Sequence, residues 1–289
     1  MSKPQFNKIV VFGTGLIGGS FALALRRADA VGEVVGFGRT LATLQQARQL
    51  GIIDRIGQDI AAEVCDADIV LLATPVGQMA ELMARIAPYL GAQTRVTDGG
   101  STKGDVVAAV YAHLGDKAAQ FVPAHPIAGA EKSGASAAKA DLYVGKKVVL
   151  TPLPENSAES VARVRLAWEA CGAVVSELTP QQHDEVFAAV SHLPHLLSFA
   201  LVHDLAQRDD RDLLLSFAAS GFRDFTRIAA SSPEMWRDIC LANREALLGE
   251  MDGYMRELET IQQALAESDA DKLQEIFSKA RELRSNWNP

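Results

Sequence analysis

The stretch Ile9-Val10-Val11-Phe12-Gly13-Thr14-Gly15-Leu16-Ile17-Gly18 decides the fold. Ile9, Val10, Val11 and Phe12 are β-branched or aromatic and read as a buried strand. They run directly into the spacing GxGxxG, and an apolar helical pattern starts at Leu16. Strand, glycine turn and helix in that order make the spacing a dinucleotide-binding fingerprint. Gly13 permits the tight turn, Gly15 lets the backbone approach a pyrophosphate, and Gly18 lets the helix pack close to the strand. Thr14, Leu16 and Ile17 complete the candidate cofactor loop, whose backbone N–H groups open a helix N-terminus toward phosphate. The competing reading is a glycine-rich turn with no ligand.

The same alternation continues outward. Residues 33–37, 69–73, 95–98, 121–124 and 147–150 read as further strands. Residues 16–28, 41–50, 78–90 and 105–114 read as helices between them. Strands alternating with helices imply βαβ units and a parallel sheet covered on both faces. After Thr179-Pro180 the pattern changes. Apolar residues recur at three and four, as in Leu193, Leu196, Leu197, Ala200 and Leu201. We therefore expect an α/β dinucleotide-binding domain over 1–179 and an all-helical domain over 180–289, ending in a charged surface helix at 269–286.

Composition fits a soluble globular protein and excludes several other classes. The chain has 289 residues, 48% apolar and 22% charged, and a net charge of −8. That length suits two domains. An acidic chain without a basic tract is a poor nucleic-acid or anionic-membrane binder. Cys65, Cys171 and Cys240 form no CxxC or Cys/His cluster, so neither a disulfide framework nor a metal site is expected. No uninterrupted apolar run reaches membrane-spanning length, and MSKPQFNK is not a signal peptide, so a cytoplasmic location is expected.

Cofactor choice turns on the second strand, which ends Gly36-Phe37-Gly38-Arg39-Thr40. An NAD site usually has an acid there for the ribose hydroxyls. Arg39 and Thr40 instead offer a cation and a hydroxyl for a 2′-phosphate, so NADP is expected ahead of NAD. The competing reading is a solvated Arg39 and a helix-capping Thr40. Thr74-Pro75 follows the strand at 69–73 and is placed to line the nicotinamide side of the crevice, or simply to start a helix.

Two loops after strands carry candidate chemistry. Asp98-Gly99-Gly100-Ser101-Thr102-Lys103-Gly104 is a flexible, polar, glycine-rich loop that can approach a bound substrate. His125 follows the strand at 121–124, beside the expected crevice, where a proton acceptor is useful. Within the helical half, Ser191-His192-Leu193-Pro194-His195 sets two histidines three apart around a proline. Ser220-Gly221-Phe222-Arg223-Asp224-Phe225-Thr226-Arg227 sets two arginines four apart, suited to carboxylates, unless either pairs with Asp224 or another acid at the surface.

Taken together, GTGLIGGS, ATPV, DGGSTKG, HPIAGAEKSG, SHLPH, GFRDFTRIA and PEMWRD resemble the prephenate/arogenate dehydrogenase family of tyrosine biosynthesis. They span nearly the whole chain in family order. The resemblance implies a Rossmann-type N-terminal domain and a helical domain that forms a homodimer. It implies oxidative decarboxylation of a cyclohexadienyl dicarboxylate with hydride transfer to NADP or NAD. His125 would take the proton of the ring hydroxyl, and Ser101 would orient that hydroxyl or the nicotinamide. His195 would contact substrate, Arg227 would bind a substrate carboxylate, and Arg223 would be a weaker second cation. Glu131 and Lys132 bear on prephenate against arogenate without deciding between them. The length is expected to leave no room for a regulatory domain. Two other readings stay open: another NAD(P)-dependent dehydrogenase of the β-hydroxyacid or imine-reductase kind, and a non-catalytic dinucleotide sensor.

Overall fold

The computed structural model describes residues 4–129 and 134–287. They fall into two compact units, 1–243 and 244–289.

The first unit opens with β1 (Phe6–Phe12), α1 (Leu16–Arg27), β2 (Val31–Phe37), α2 (Leu41–Gln49), β3 (Arg55–Ile56), α3 (Ile60–Val64), β4 (Ile69–Leu72), α4 (Met79–Ile86), β5 (Arg95–Asp98) and α5 (Gly104–Leu114). The five strands form one parallel sheet in the order β3-β2-β1-β4-β5. Both faces are covered, which explains strands that are apolar without alternation. One core cluster includes Ile9, Val11, Phe21, Ile69 and Trp168. The other includes Val10, Phe12, Val70, Met83 and Val110. Strand order reverses between β1 and β4, and in open α/β sheets ligands bind at the carboxyl ends of strands at such a point.

The expectation that residues 121–124 and 147–150 extend this sheet is corrected. The strand lies at β6 (Ala124–Pro126), and Phe121 makes only a single parallel bridge to Val96. β6 pairs antiparallel with β7 (Lys147–Leu150). β7 pairs parallel with β8 (Val174–Glu177), which follows α6 (Ala158–Ala170). These three strands are a separate sheet. Pro123 and Pro126 flank the segment and cannot donate to a continuing ladder. β3 and β8 escaped the sequence reading because one has two residues and the other is mostly exposed.

From Thr179 onward the chain is helical, as expected. α7 (Pro180–Phe187) starts on a capping box of Thr179 and Gln182. A single π turn, Ala188–His192, joins it to α8 (Leu193–Ala206). Pro194 has no N–H for the α ladder, and a wider turn takes up the mismatch. α9 (Arg211–Ser216), α10 (Ser220–Thr226) and α11 (Pro233–Ala242) complete the unit. The second unit is α12 (Arg244–Ala266) and α13 (Ala270–Asn286), with Asp269 capping α13. The change to all-helical structure thus falls at 179, inside the first compact unit.

The sequence showed no apolar run of spanning length, yet helix Pro180–Ala206 is long and apolar enough on average to cross a membrane. Ser191, His192 and His195 break the run without lowering the average much. His183, Asp184 and His192 on this helix are buried and hydrogen-bonded within the first unit.

Candidate active site

Several loops converge at the switch point. Gly13 has φ +96, and a Cβ there would lie 2.4 Å from the Ala73 carbonyl oxygen. A Cβ on Gly18 would lie 2.1 Å from Gly13 O, so α1 approaches β1 as the fingerprint requires. The loop after β5 lies between the other parts: Gly99 approaches Ile17 and Pro126, and Gly100 approaches Val76. The glycine turn, the Thr74-Pro75 turn, the Ser101 loop and the His125 strand therefore meet.

The residues present fit a dinucleotide. The N-terminus of α1 follows Gly15, no side chain caps it, and no acid stands in its first turn. The buried hydroxyls of Thr14 and Thr74 have no partner among the described residues. At the ribose end, Thr40 caps α2 by accepting from Thr43 N at 3.3 Å, and Arg39 is exposed. The Glu33 carboxylate is bound by Arg55 at 2.7 and 3.2 Å.

Two buried carboxylates fix the Ser101 loop and the start of the His125 strand. Asp98 Oδ2 accepts from Gly100 N at 2.8 Å and from Lys103 Nζ at 2.5 Å, and Oδ1 accepts from Ala124 N at 2.9 Å. Asp184 Oδ1 and Oδ2 accept from Lys103 N and Gly104 N at 2.8 and 2.7 Å. Asp98 thus holds the residues preceding Ser101 and His125, and Asp184 holds the loop's exit into α5.

His125 Nδ1 lies 2.8 Å from His183 Nε2, and His183 Nδ1 lies 2.8 Å from Asp184 Oδ1. The Phe187 ring packs edge-on against His125, centroids 4.8 Å apart. Burial above all, then the positive fields of His183, Lys103 and His192, hold the His125 imidazolium form well below its ordinary range. His125 is therefore neutral at neutral pH, as a proton acceptor must be.

The π turn brings two further histidines to Trp236. His195 stacks on its indole, centroids 3.8 Å apart and 21° between planes, and donates Nδ1–H to Ser191 O at 2.9 Å. His192 meets the same ring edge-on at 6.0 Å, and its Nδ1 accepts from Asn243 Nδ2 at 3.1 Å. Arg227 follows the end of α10, which packs on α8, and is itself exposed. Its charge helps burial push His195 toward the neutral form. Arg223 stands apart: its side chain is 79% exposed and lies 3.9 Å from Asp224, the surface pairing that competes with a binding role. Glu131 and Lys132 lie outside the described residues.

Sequence reasoning missed His183 and Asp184, which sit inside a plain helix start with no glycine or loop to mark them. It also gave no role to Trp236 or to the Lys103–Asp98 pair. No group of three metal-ligating side chains occurs among the described residues.

A parallel sheet with a glycine fingerprint at its switch point, beside a neutral histidine, defines a nicotinamide-dinucleotide-dependent dehydrogenase. Comparison with known proteins makes this particular. Residues 21–177 match the nucleotide-binding domain of prephenate dehydrogenase, and residues 179–279 match its dimerization domain. The chain is 34% identical to cyclohexadienyl dehydrogenase of Zymomonas mobilis, over 96% of this chain and 95% of that one. It is 36% identical to prephenate dehydrogenase of Bacillus subtilis, over 96% of this chain and 75% of that one. It also resembles the crystal structure of Aquifex aeolicus prephenate dehydrogenase in complex with hydroxyphenyl propionate and NAD+. There the TM-score is 0.90 and the identity 36%, covering 99% and 98% of the two chains. The chain belongs to the prephenate dehydrogenase family.

Proposed function

We propose that this enzyme converts prephenate to 4-hydroxyphenylpyruvate in tyrosine biosynthesis, with loss of CO₂ and reduction of NADP. The observation that carries the reading is His125: a half-buried, neutral imidazole held where the cofactor turn and the Ser101 loop meet. The glycine turn after β1 would hold the dinucleotide, which would supply the acceptor for the hydride of ring C4. The chain's own residues do the rest. His125 takes the hydroxyl proton, and Ser101 hydrogen-bonds the same hydroxyl and orients it. Arg227 binds a substrate carboxylate, with His195 beside it as a polar contact held in place by Trp236. The oxidised ring is a dienone that loses CO₂ and becomes aromatic, which drives the reaction forward. The protein's tasks are positioning and proton removal.

The NADP preference rests on Arg39 and Thr40 after β2, and on Glu33 being engaged by Arg55. The relative from Aquifex aeolicus was crystallised with NAD+, so the preference is a property to be measured on this chain. Arogenate is the second substrate reading, favoured by the cyclohexadienyl dehydrogenase relative. We take 1–179 as the cofactor domain and 180–289 as the substrate and dimerisation domain of a cytoplasmic homodimer. Its interface would use exposed apolar residues such as Leu213, Leu215 and Phe217, the last 81% exposed. Leu247, in α12, is buried and is not part of that surface. Initial rates with prephenate and arogenate, each against NADP and NAD, test the assignment. The highest kcat/KM is expected for prephenate with NADP. A clear NAD preference would reject the role of Arg39, and no turnover with either substrate would reject the function.

A further inference from the structure

The contacts behind His125 form a directed chain. Asp184 accepts two backbone N–H groups, one on each carboxylate oxygen, and its Oδ1 also meets His183 Nδ1. Such a set of donors stabilises the ionised carboxylate, which has no hydrogen to give. His183 Nδ1 must then be the donor. His183 is fully buried, and burial favours its neutral form, so its Nε2 carries a lone pair. The atom 2.8 Å from that lone pair, His125 Nδ1, must carry a hydrogen. His125 Nε2 is left bare.

We propose that His183 and Asp184 are positioning residues that hold His125 in the tautomer whose Nε2 accepts the substrate proton. The proposal rests on the function given above. In the step, the substrate O–H bond breaks and an N–H bond forms at His125 Nε2. Nδ1–H stays in place, and the imidazolium that forms is stabilised through His183 by the Asp184 charge. The logic is that of an acid behind a catalytic histidine, with one imidazole interposed. Neither residue touches substrate.

Three variants and one spectrum test this. The ¹⁵N shifts of the His125 ring, assigned by its absence in His125→Asn, should show a protonated Nδ1 and a bare Nε2 in the wild type at neutral pH. His183→Leu removes the acceptor with little change in volume and should lower kcat by about 100-fold or more. KM and cofactor Kd should stay within about 3-fold. His183→Gln still offers a carbonyl to Nδ1–H and should recover about 10-fold of that loss. Asp184→Asn can donate to His183 and reverse the chain, so it should move the His125 proton to Nε2 in the spectrum. A wild-type ring protonated on Nε2 would overturn the proposal. So would His183→Leu with kcat within about 3-fold of wild type, or equal losses in the Leu and Gln variants. Should the wild type fail to oxidise prephenate, the function falls, and the spectrum still decides the tautomer.

Discussion

Replacing Lys103 with Met should cost the protein about 3 kcal/mol of stability. Lys103 and Asp98 are fully buried, with Nζ 2.5 Å from Oδ2. Removing one partner of a buried pair typically costs about 3–5 kcal/mol, because the other charge is left uncompensated. Asp98 would still accept from Gly100 N and Ala124 N, which places the cost at the low end of that range. For a unit of this size, about 3 kcal/mol corresponds to a fall in melting temperature of roughly 6–12 °C. Urea unfolding of wild type, Lys103→Met, Asp98→Asn and the double variant measures it, at one fixed protein concentration because a dimer's midpoint moves with concentration. The double variant should be more stable than the sum of the single losses by about 2 kcal/mol, since the two sites are in contact. Catalysis should suffer as well, because the pair closes the loop that carries Ser101. A Lys103→Met protein within about 1 kcal/mol of wild type, or strict additivity in the cycle, would refute the reasoning.

Other outcomes follow from the same site. His125→Asn should lower kcat by about 10²–10⁴-fold and leave cofactor Kd unchanged, as read by steady-state kinetics and cofactor titration. Arg227→Ala should act mainly on KM, raising it by roughly one to two orders of magnitude for loss of a charged hydrogen bond to a carboxylate. Arg39→Ala should raise KM for NADP and leave KM for NAD nearly unchanged. Acid should unfold the protein early. Burial lowers the affinity of His125, His183, His192 and His195 for protons in the folded state, and His192 falls from 6.5 to about 4. The unfolded chain then binds more protons below pH 6.5, so stability is full above that pH and declines as pH falls toward 4. His192 alone accounts for about 3 kcal/mol over that interval. Chemical denaturation at pH 7.5 and 4.5 checks the sign, and greater stability at pH 4.5 would contradict it.

The fold was legible wherever local pattern and tertiary role agree. Residues 9–18 announce the strand, turn and helix because glycine is required at Gly13 and Gly18 by backbone approach, which leaves a mark in the sequence. The switch at Thr179-Pro180 is visible because period two gives way to a helical period. β6 was misplaced because its pairing is set by β7, some twenty residues away, and local composition cannot encode that partner. His125, Ser101, His195 and Arg227 stand out through their motifs; the structure sets the Ser101 loop against the His125 strand and Arg227 near His195. His183 and Asp184 do not stand out. Their importance comes from a contact across 58 residues to His125 and across 81 to Lys103, made by a helix that looks ordinary in sequence. The same holds for Lys103, whose burial only the folded chain reveals. Arg223 and Arg227 share one motif, and both are exposed in the chain.

The central claim is that this site couples oxidation of prephenate to its decarboxylation. It is tested most directly by adding a limiting amount of prephenate to the wild-type enzyme with excess NADP. Reduced cofactor, CO₂ and aromatic product are then quantified in the same sample. One equivalent of each per prephenate is expected, and a rate lost together for all three in His125→Asn. Absence of reduced cofactor, or reduction without release of CO₂, would contradict it.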